Sequence, residues 1–196
     1  MNDCIDDIHD FWFGELDQQG LCDTDRNALW FSASADGDAL ISERFGDWLA
    51  RAARGELDHW ADSDRGLIAL ILLLDQFSRN IHRGQAEAFA QDARALALAR
   101  QAIDHGRDLK LPSAHRVFLY MPLEHCEDRD TQALCVELFE ALAEDTADER
   151  VHGFTRYAIA HREVIDRFGR FPHRNAILGR ASTPEELQYL ETHGGF

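Results

Sequence analysis

Two Arg-Asn pairs stand in near-matching frames, Gln76-Phe77-Ser78-Arg79-Asn80-Ile81-His82-Arg83-Gly84 and Arg170-Phe171-Pro172-His173-Arg174-Asn175-Ala176-Ile177-Leu178-Gly179-Arg180. A guanidinium offers planar, forked donors that match a carboxylate or a phosphate, so the chemistry open to these frames is the gripping of a small anion. On a helix, Asp75, Arg79 and Arg83 fall at i, i+4 and i+8 on one face, with Gln76 and Asn80 on the adjacent face. Either Asp75 and Arg79 form an ordinary structural ion pair, or Asp75 and Asn80 orient Arg79 toward a ligand. The second frame follows the helix stop Gly169 and is expected to be an ordered loop. Its Arg170, His173, Arg174 and Asn175 can cap carbonyls at neighbouring helix ends or hold an anion.

Two further sets could move protons. Glu124-His125-Cys126-Glu127 follows Pro122 and presents carboxylates and an imidazole from a turn or helix start, the residue types of general acid–base work. His161 lies in the helical stripe Phe154, Ala158, His161, Ile165 and Phe168. Its ring is either a satisfied core histidine or faces the same cavity as Arg79. Neither set is accompanied by an H-x-x-x-H or E-x-x-H helical pair, so no metal site and no metal cofactor are expected. Gly-rich phosphate loops, nucleotide fingerprints and G-x-S-x-G turns are missing too, and no cofactor is expected.

The elements that must carry these residues read as helices throughout, because no segment sustains the two-residue alternation of a strand. Ile5, Ile8, Phe11 and Trp12 form an amphipathic stripe ending near Gly14. Residues 39–54 repeat the pattern up to Gly55, a plausible C-terminal cap. From about Arg65 to His82 the chain is apolar on every face through Leu67-Ile68-Ala69-Leu70-Ile71-Leu72-Leu73-Leu74, which marks a central helix surrounded by others. Helices are expected over 86–105 and over 113–120, the latter stopped by Pro122, and then over 131–144 and 149–168. Thr183-Pro184-Glu185-Glu186 is a capping box with proline at the first helical position, and it opens a terminal helix through Leu190.

Composition bounds the partners. The chain of 196 residues has a net charge of −16, and no Pro/Gly/Ser-rich linker divides it, so a single domain over 1–196 is expected. Residues 1–64 carry a long series of acidic side chains against only Arg26, Arg44, Arg51 and Arg54. Such a field repels phosphate polymers and anionic bilayers, which excludes nucleic acid and membrane as expected partners. Between Arg162 and Arg180 the sign reverses, with five arginines facing only Glu163 and Asp166. A local cationic site in an acidic protein suits a small anionic molecule. The apolar run Leu67–Leu74 is far short of the roughly 20 residues needed to span a bilayer. Met1-Asn2-Asp3-Cys4 is acidic where a signal peptide would be basic. Cys4, Cys22, Cys126 and Cys135 show no C-x-x-C spacing, so free thiols in the cytoplasm are expected. Trp12, Phe13, Trp30, Phe31, Trp48 and Trp60 are expected in the core.

Three motifs together carry a resemblance. Leu74-Asp75-Gln76-Phe77-Ser78-Arg79-Asn80, Tyr120-Met121-Pro122-Leu123-Glu124-His125 and Arg167-Phe168-Gly169-Arg170-Phe171-Pro172-His173-Arg174-Asn175 occur in the order seen in the bacterial domain-of-unknown-function family 924. The chain resembles that family from Phe11 to Phe196. The resemblance implies a tetratricopeptide-like array of antiparallel helical hairpins, about eight helices with no sheet, and it implies no particular activity. The family pattern usually has proline where this chain has Ser78, and serine where it has Cys126, so no catalytic thiol is expected there.

These observations combine into one expectation: an all-α protein whose central helix and C-terminal loop border a polar pocket. There Arg79, Arg170 and Arg174 would bind an anionic phosphate or carboxylate compound, with Asp75, Asn80, His173 and Asn175 in support. Glu124, His125 and His161 are the candidates for catalysis. The alternative is a non-catalytic module that binds a protein or peptide, in which the charged motifs form a structural network.

Overall fold

A computed structural model describes residues 3–32 and 34–195. Met1, Asn2 and Phe196, which were part of the sequence reading, lie outside the described residues. The architecture is all-α, and among the described residues the only β-type pairing is an isolated bridge between Leu16 and Cys22. The chain forms two compact units, one from residues up to 83 with 87–122, the other from 84–86 with 123 onward.

The first unit is built on helices α1 (Asp3–Trp12), α2 (Asn27–Phe31), α3 (Ala35–Ala53), α4 (Asp64–Ile71), α5 (Ser78–Ile81), α6 (Asp92–Asp104) and most of α7 (Ser113–Glu124). Between α4 and α5 a π-helical stretch, Leu72–Phe77, continues the same rod. Residues 67–74 are all buried to within 1%, as expected of a rod that is apolar all round and therefore encased by its neighbours. Ser63 caps its start by accepting a hydrogen bond from the Gly66 amide at 3.1 Å. A Cβ at Gly66 would come within 2.2 Å of the Trp60 carbonyl oxygen, so the close approach of the Asp58–Asp62 3-10 turn to the rod requires glycine there. Around the rod, Phe77 stacks on Phe45 with ring centroids 4.9 Å apart and meets Trp12 edge-on at 5.2 Å, geometries that aromatic quadrupoles favour.

The second unit is organised by α8 (Arg129–Thr146) and α9 (Glu149–Phe168), followed by a 3-10 turn at Pro172–Arg174 and α10 (Pro184–His193). Only Ala147 and Asp148 separate α8 from α9, so the two must run antiparallel. Arg129 at the start of α8 donates to the Asp166 carbonyl near the end of α9 at 2.9 Å, and Thr155 of α9 donates to the Phe139 carbonyl of α8 at 3.2 Å. Val164, Ile165 and Phe171 form a core against which Phe168 and Tyr189 pack.

Several boundaries differ from expectation. Helix α7 does not stop at Pro122 but runs through it to Glu124. Helix α3 starts at Ala35, earlier than residue 39, because Ser34 caps the Gly37 amide at 3.2 Å. The helix expected from residue 86 is broken into a 3-10 turn, Ala86–Phe89, and α6. Phe31, expected in the core, is 55% exposed, whereas Trp12, Phe13 and Trp60 are buried. Cys4, Cys22, Cys126 and Cys135 are free thiols. Among the described residues no helix is long and apolar enough to cross a membrane.

Candidate functional site

The sequence-derived residues fall into two sets, Asp75, Arg79 and Asn80 in the first unit and Glu124, His125, His161, Arg170, His173, Arg174 and Asn175 in the second. Each set has its own geometry.

In the first unit the π-helix decides where polar groups point. A π turn holds one residue more than an α turn, so it rotates the residues beyond it about the axis; such turns recur at functional sites. It carries Asp75 and Gln76, which are 0% and 8% exposed at the end of an otherwise apolar rod. The Asp75 carboxylate accepts from the Gln76 amide at 2.6 Å and pairs with Arg79 Nη1 at 3.0 Å. The Arg79 guanidinium also bridges to Asp92 at the start of α6, with contacts of 2.9 and 3.0 Å. Asn80 turns the other way and donates to Asp38 of α3 at 2.9 Å. Arg83 grips the same carboxylate in a fork, at 2.6 and 2.9 Å, which holds the Asp38 pKa below the usual range. These contacts fasten the end of the central rod to α3 and α6.

In the second unit His161 projects from the inward face of α9 and is 5% exposed. Its Nδ1 lies 2.8 Å from the Tyr157 carbonyl; a carbonyl can only accept, so Nδ1 carries the proton of the neutral ring. Glu124 Oε1 stands 3.4 Å from the same nitrogen. That leaves Nε2 as the basic nitrogen. His125 lies with its ring centroid 6.3 Å from that of His161, and Phe171 lies edge-on at 5.5 Å. His173 packs against Phe171 at 5.7 Å, and the Arg174 guanidinium sits 4.7 Å above the Phe171 ring. Burial first, and then the positive fields of His125, Arg174 and His173, push the His161 pKa down to about 3. A neutral imidazole beside a buried carboxylate, ringed by two more imidazoles and a guanidinium, is an arrangement in which added negative charge is welcome.

The turn that carries Glu124 and His125 is held from α8. The Gln132 side chain is fully buried, and its Nε2 reaches the carbonyls of Glu124 at 2.6 Å and Cys126 at 2.8 Å. The first is an orphan acceptor at the end of α7 and the second belongs to the turn beyond it, and one side chain satisfies both.

Arg170 and Asn175 have internal partners. Arg170 forks onto Glu186 at 2.6 and 2.8 Å and donates to the Ala181 carbonyl at 2.9 Å. Asn175, 0% exposed, donates to Ser182 at 3.0 Å and accepts from Arg180 at 3.0 Å. Arg180 in turn grips Glu127 at 2.6 and 2.9 Å, and Glu127 accepts the Phe171 amide at 2.7 Å. Burial works to raise the Glu127 pKa, but the Arg180 fork and the Phe171 amide overcome it and hold it below the ordinary value.

The family model for bacterial proteins of unknown function, DUF924, matches residues 8–194. The chain belongs to this family. A solved structure of a protein of unknown function from Agrobacterium tumefaciens is 40% identical, covers 96% of this chain and 97% of its own, and superposes with a TM-score of 0.80. Among curated proteins no relative matches. All the candidate residues lie inside the span matched by the DUF924 model.

Gln132 was missed by sequence reasoning, and Glu127, Arg180 and Glu186, though they stand in the quoted motifs, were not recognised as the partners that hold the second frame. Glu186 did carry a signal as the glutamate of the capping box, but that motif speaks only of Thr183, whose amide it accepts at 2.7 Å. Gln132 carried none, since an amide in the first turn of a helix reads as surface until its partners are known.

Proposed function

We propose that this DUF924 protein binds a small anionic compound, a phosphate or carboxylate, in the second unit, where Arg174 and His173 supply positive charge and Glu124, His125 and His161 can move protons. The observation that carries this reading is the contact of buried His161 with Glu124 at 3.4 Å inside a ring of cationic or potentially cationic groups. An anion docked beside His161 offsets the repulsion that keeps its ring neutral, so its Nε2 gains basicity as the ligand arrives. Arg170 and Asn175 belong to the scaffold in this reading, because Glu186, Ser182 and Arg180 engage them.

The test is thermal stabilisation by phosphate, sulfate and a panel of carboxylate and phosphate metabolites. A ligand at 100 times its Kd stabilises by about 2.7 kcal/mol, roughly 5–10 °C in a chain of this size. The shift should vanish in Arg174→Ala, provided that circular dichroism shows the variant folded. If no compound shifts the wild type, the reading falls.

A second reading draws on the Arg79–Asp75–Asp92 and Arg170–Glu186 pairs. There the charged motifs are a structural network, the helical hairpins stack in the tetratricopeptide manner, and a groove between helices takes a peptide. Arg174→Ala would then leave ligand-free stability lower with no anion-induced shift in either protein.

A further inference from the structure

The Gln132 amide has a fixed orientation. Its nitrogen prong faces the carbonyl oxygens of Glu124 and Cys126 at 2.6 and 2.8 Å, with that of Leu123 at 3.4 Å. Turning the amide over would set an oxygen against three oxygens. Oε1 is therefore the other prong, and it is buried without a hydrogen-bond partner. A buried acceptor in this state is uncommon in native proteins and calls for a donor that the protein does not supply.

The same Gln132 amide is bonded to the carbonyl of Glu124 at 2.6 Å, and the carboxylate of that residue stands 3.4 Å from His161 Nδ1. Gln132 and Cys135 stand at i and i+3 and share one face of α8. The Glu124 charge reaches Cys135, where, after burial, it is the further influence raising the thiol pKa. The carboxylate of Glu124 and the orphan oxygen of Gln132 are joined through the Glu124 backbone. Both accept hydrogen bonds and neither donates.

We infer, building on the anion-site reading above, that the site selects an anion carrying its own hydroxyl donor, and that Gln132 Oε1 is the specificity-determining acceptor. Hydrogen phosphate and a 2-hydroxycarboxylate share this chemistry. Sulfate, fully ionised at neutral pH, and an unsubstituted carboxylate lack it. A ligand without the donor leaves the buried acceptor unpaired, which is the origin of strong discrimination in polar sites.

Two matched pairs test the inference by calorimetry at pH 7: inorganic phosphate against sulfate, and lactate against propionate. The donor-bearing member of at least one pair should bind on the order of ten-fold tighter or more, and which pair responds tells phosphate from hydroxycarboxylate. In Gln132→Met the ratio should fall to about two-fold or less. Because Gln132 also ties the turn, the side-chain amide resonance of wild-type Gln132 provides a second measurement: it should shift with the preferred anion and stay put with its donor-free partner. Equal affinities within both pairs would overturn the inference, leaving a water on Oε1, while the anion site itself would stand. Absence of binding by all four probes would remove the site and the inference together.

Discussion

Glu186 meets Arg170 in a two-point fork, Oε1 to Nε at 2.6 Å and Oε2 to Nη2 at 2.8 Å, and the same carboxylate closes the capping box of α10 by accepting the Thr183 amide at 2.7 Å. One side chain therefore starts a helix and fastens the loop of the second Arg-Asn frame. The fork, together with the Thr183 and Asn175 donors, lowers the Glu186 pKa to about 2 against the opposing effect of burial. An unfolded glutamate titrates near 4.3. Between those values the unfolded chain takes up the proton and the folded one does not, so this stabilisation is full above about pH 4.3 and is lost as pH falls toward 2. Glu186→Gln should lower the melting temperature by roughly 5 °C at pH 7. It should also flatten the stability profile between pH 4.3 and 2, as read by urea unfolding. An unchanged profile would separate the fork from stability.

Three buried histidines oppose folding in acid. His9, His115 and His161 have pKa values pushed down to about 4, 3 and 3, first by burial in each case. His9 and His115 pack edge to face at 4.8 Å, and the charge of Arg65 disfavours a second cation beside them. In the unfolded chain each titrates near 6.5. From pH 6.5 downward the unfolded state binds protons that the folded state refuses, so stability falls with pH until the folded values are reached. The imidazole proton resonances of all three should stay constant from pH 8 to 5. A titration midpoint near 6.5 for His161 would show that its ring is not held neutral.

Arg79→Ala removes the cation beside the fully buried Asp75 carboxylate and its bridge to Asp92. Breaking one side of such a pair leaves a charge in a poorly solvated place, and a loss of about 3 kcal/mol is expected from chemical denaturation. An unchanged or improved stability would mark Arg79 as a residue kept for a ligand.

Ala147 joins α8 to α9 in the left-handed conformation, at φ 51° and ψ 31°. A Cβ makes this region unfavourable by about 1 kcal/mol or more, and glycine removes the clash. Ala147→Gly should therefore raise the unfolding free energy by about 0.5–1 kcal/mol. A loss of stability would mean that entropy in the unfolded chain outweighs the relief.

Local chemistry was legible and distant chemistry was not. The Thr183 cap, the glycine stop at 169 and the apolar rod around residues 67–74 follow from neighbours in the chain, where propensity and periodicity act directly. Pro122 misled because proline removes only the bond from its own missing amide to the carbonyl four residues back, while the helix end two residues beyond it is held by Gln132 of another helix, which takes the carbonyls of Leu123, Glu124 and Cys126. The π turn escaped because an i→i+5 pattern has no compositional mark. Arg170 and Asn175 were legible as polar and convergent, but their acceptors are Glu186 and neighbours of α10, and nothing in a linear frame separates an arginine with an internal partner from one awaiting a ligand. His161 was legible as inward-facing. Its neighbour Glu124 is 37 positions earlier, a separation that no periodicity spans.

The π-helical stretch Leu72–Phe77 makes the central rod one residue too long for its own pitch. A single deletion in a buried helix is ordinarily ruinous, because it swings everything beyond it by about 100°. Here the same deletion would restore regular i→i+4 pairing while rotating Arg79, Asn80 and Arg83 away from Asp92 and Asp38. The surplus residue therefore works as a length marker. In this chain, the spacing between the apolar run and the Arg-Asn pair must be kept to the residue for that pair to meet its acidic partners.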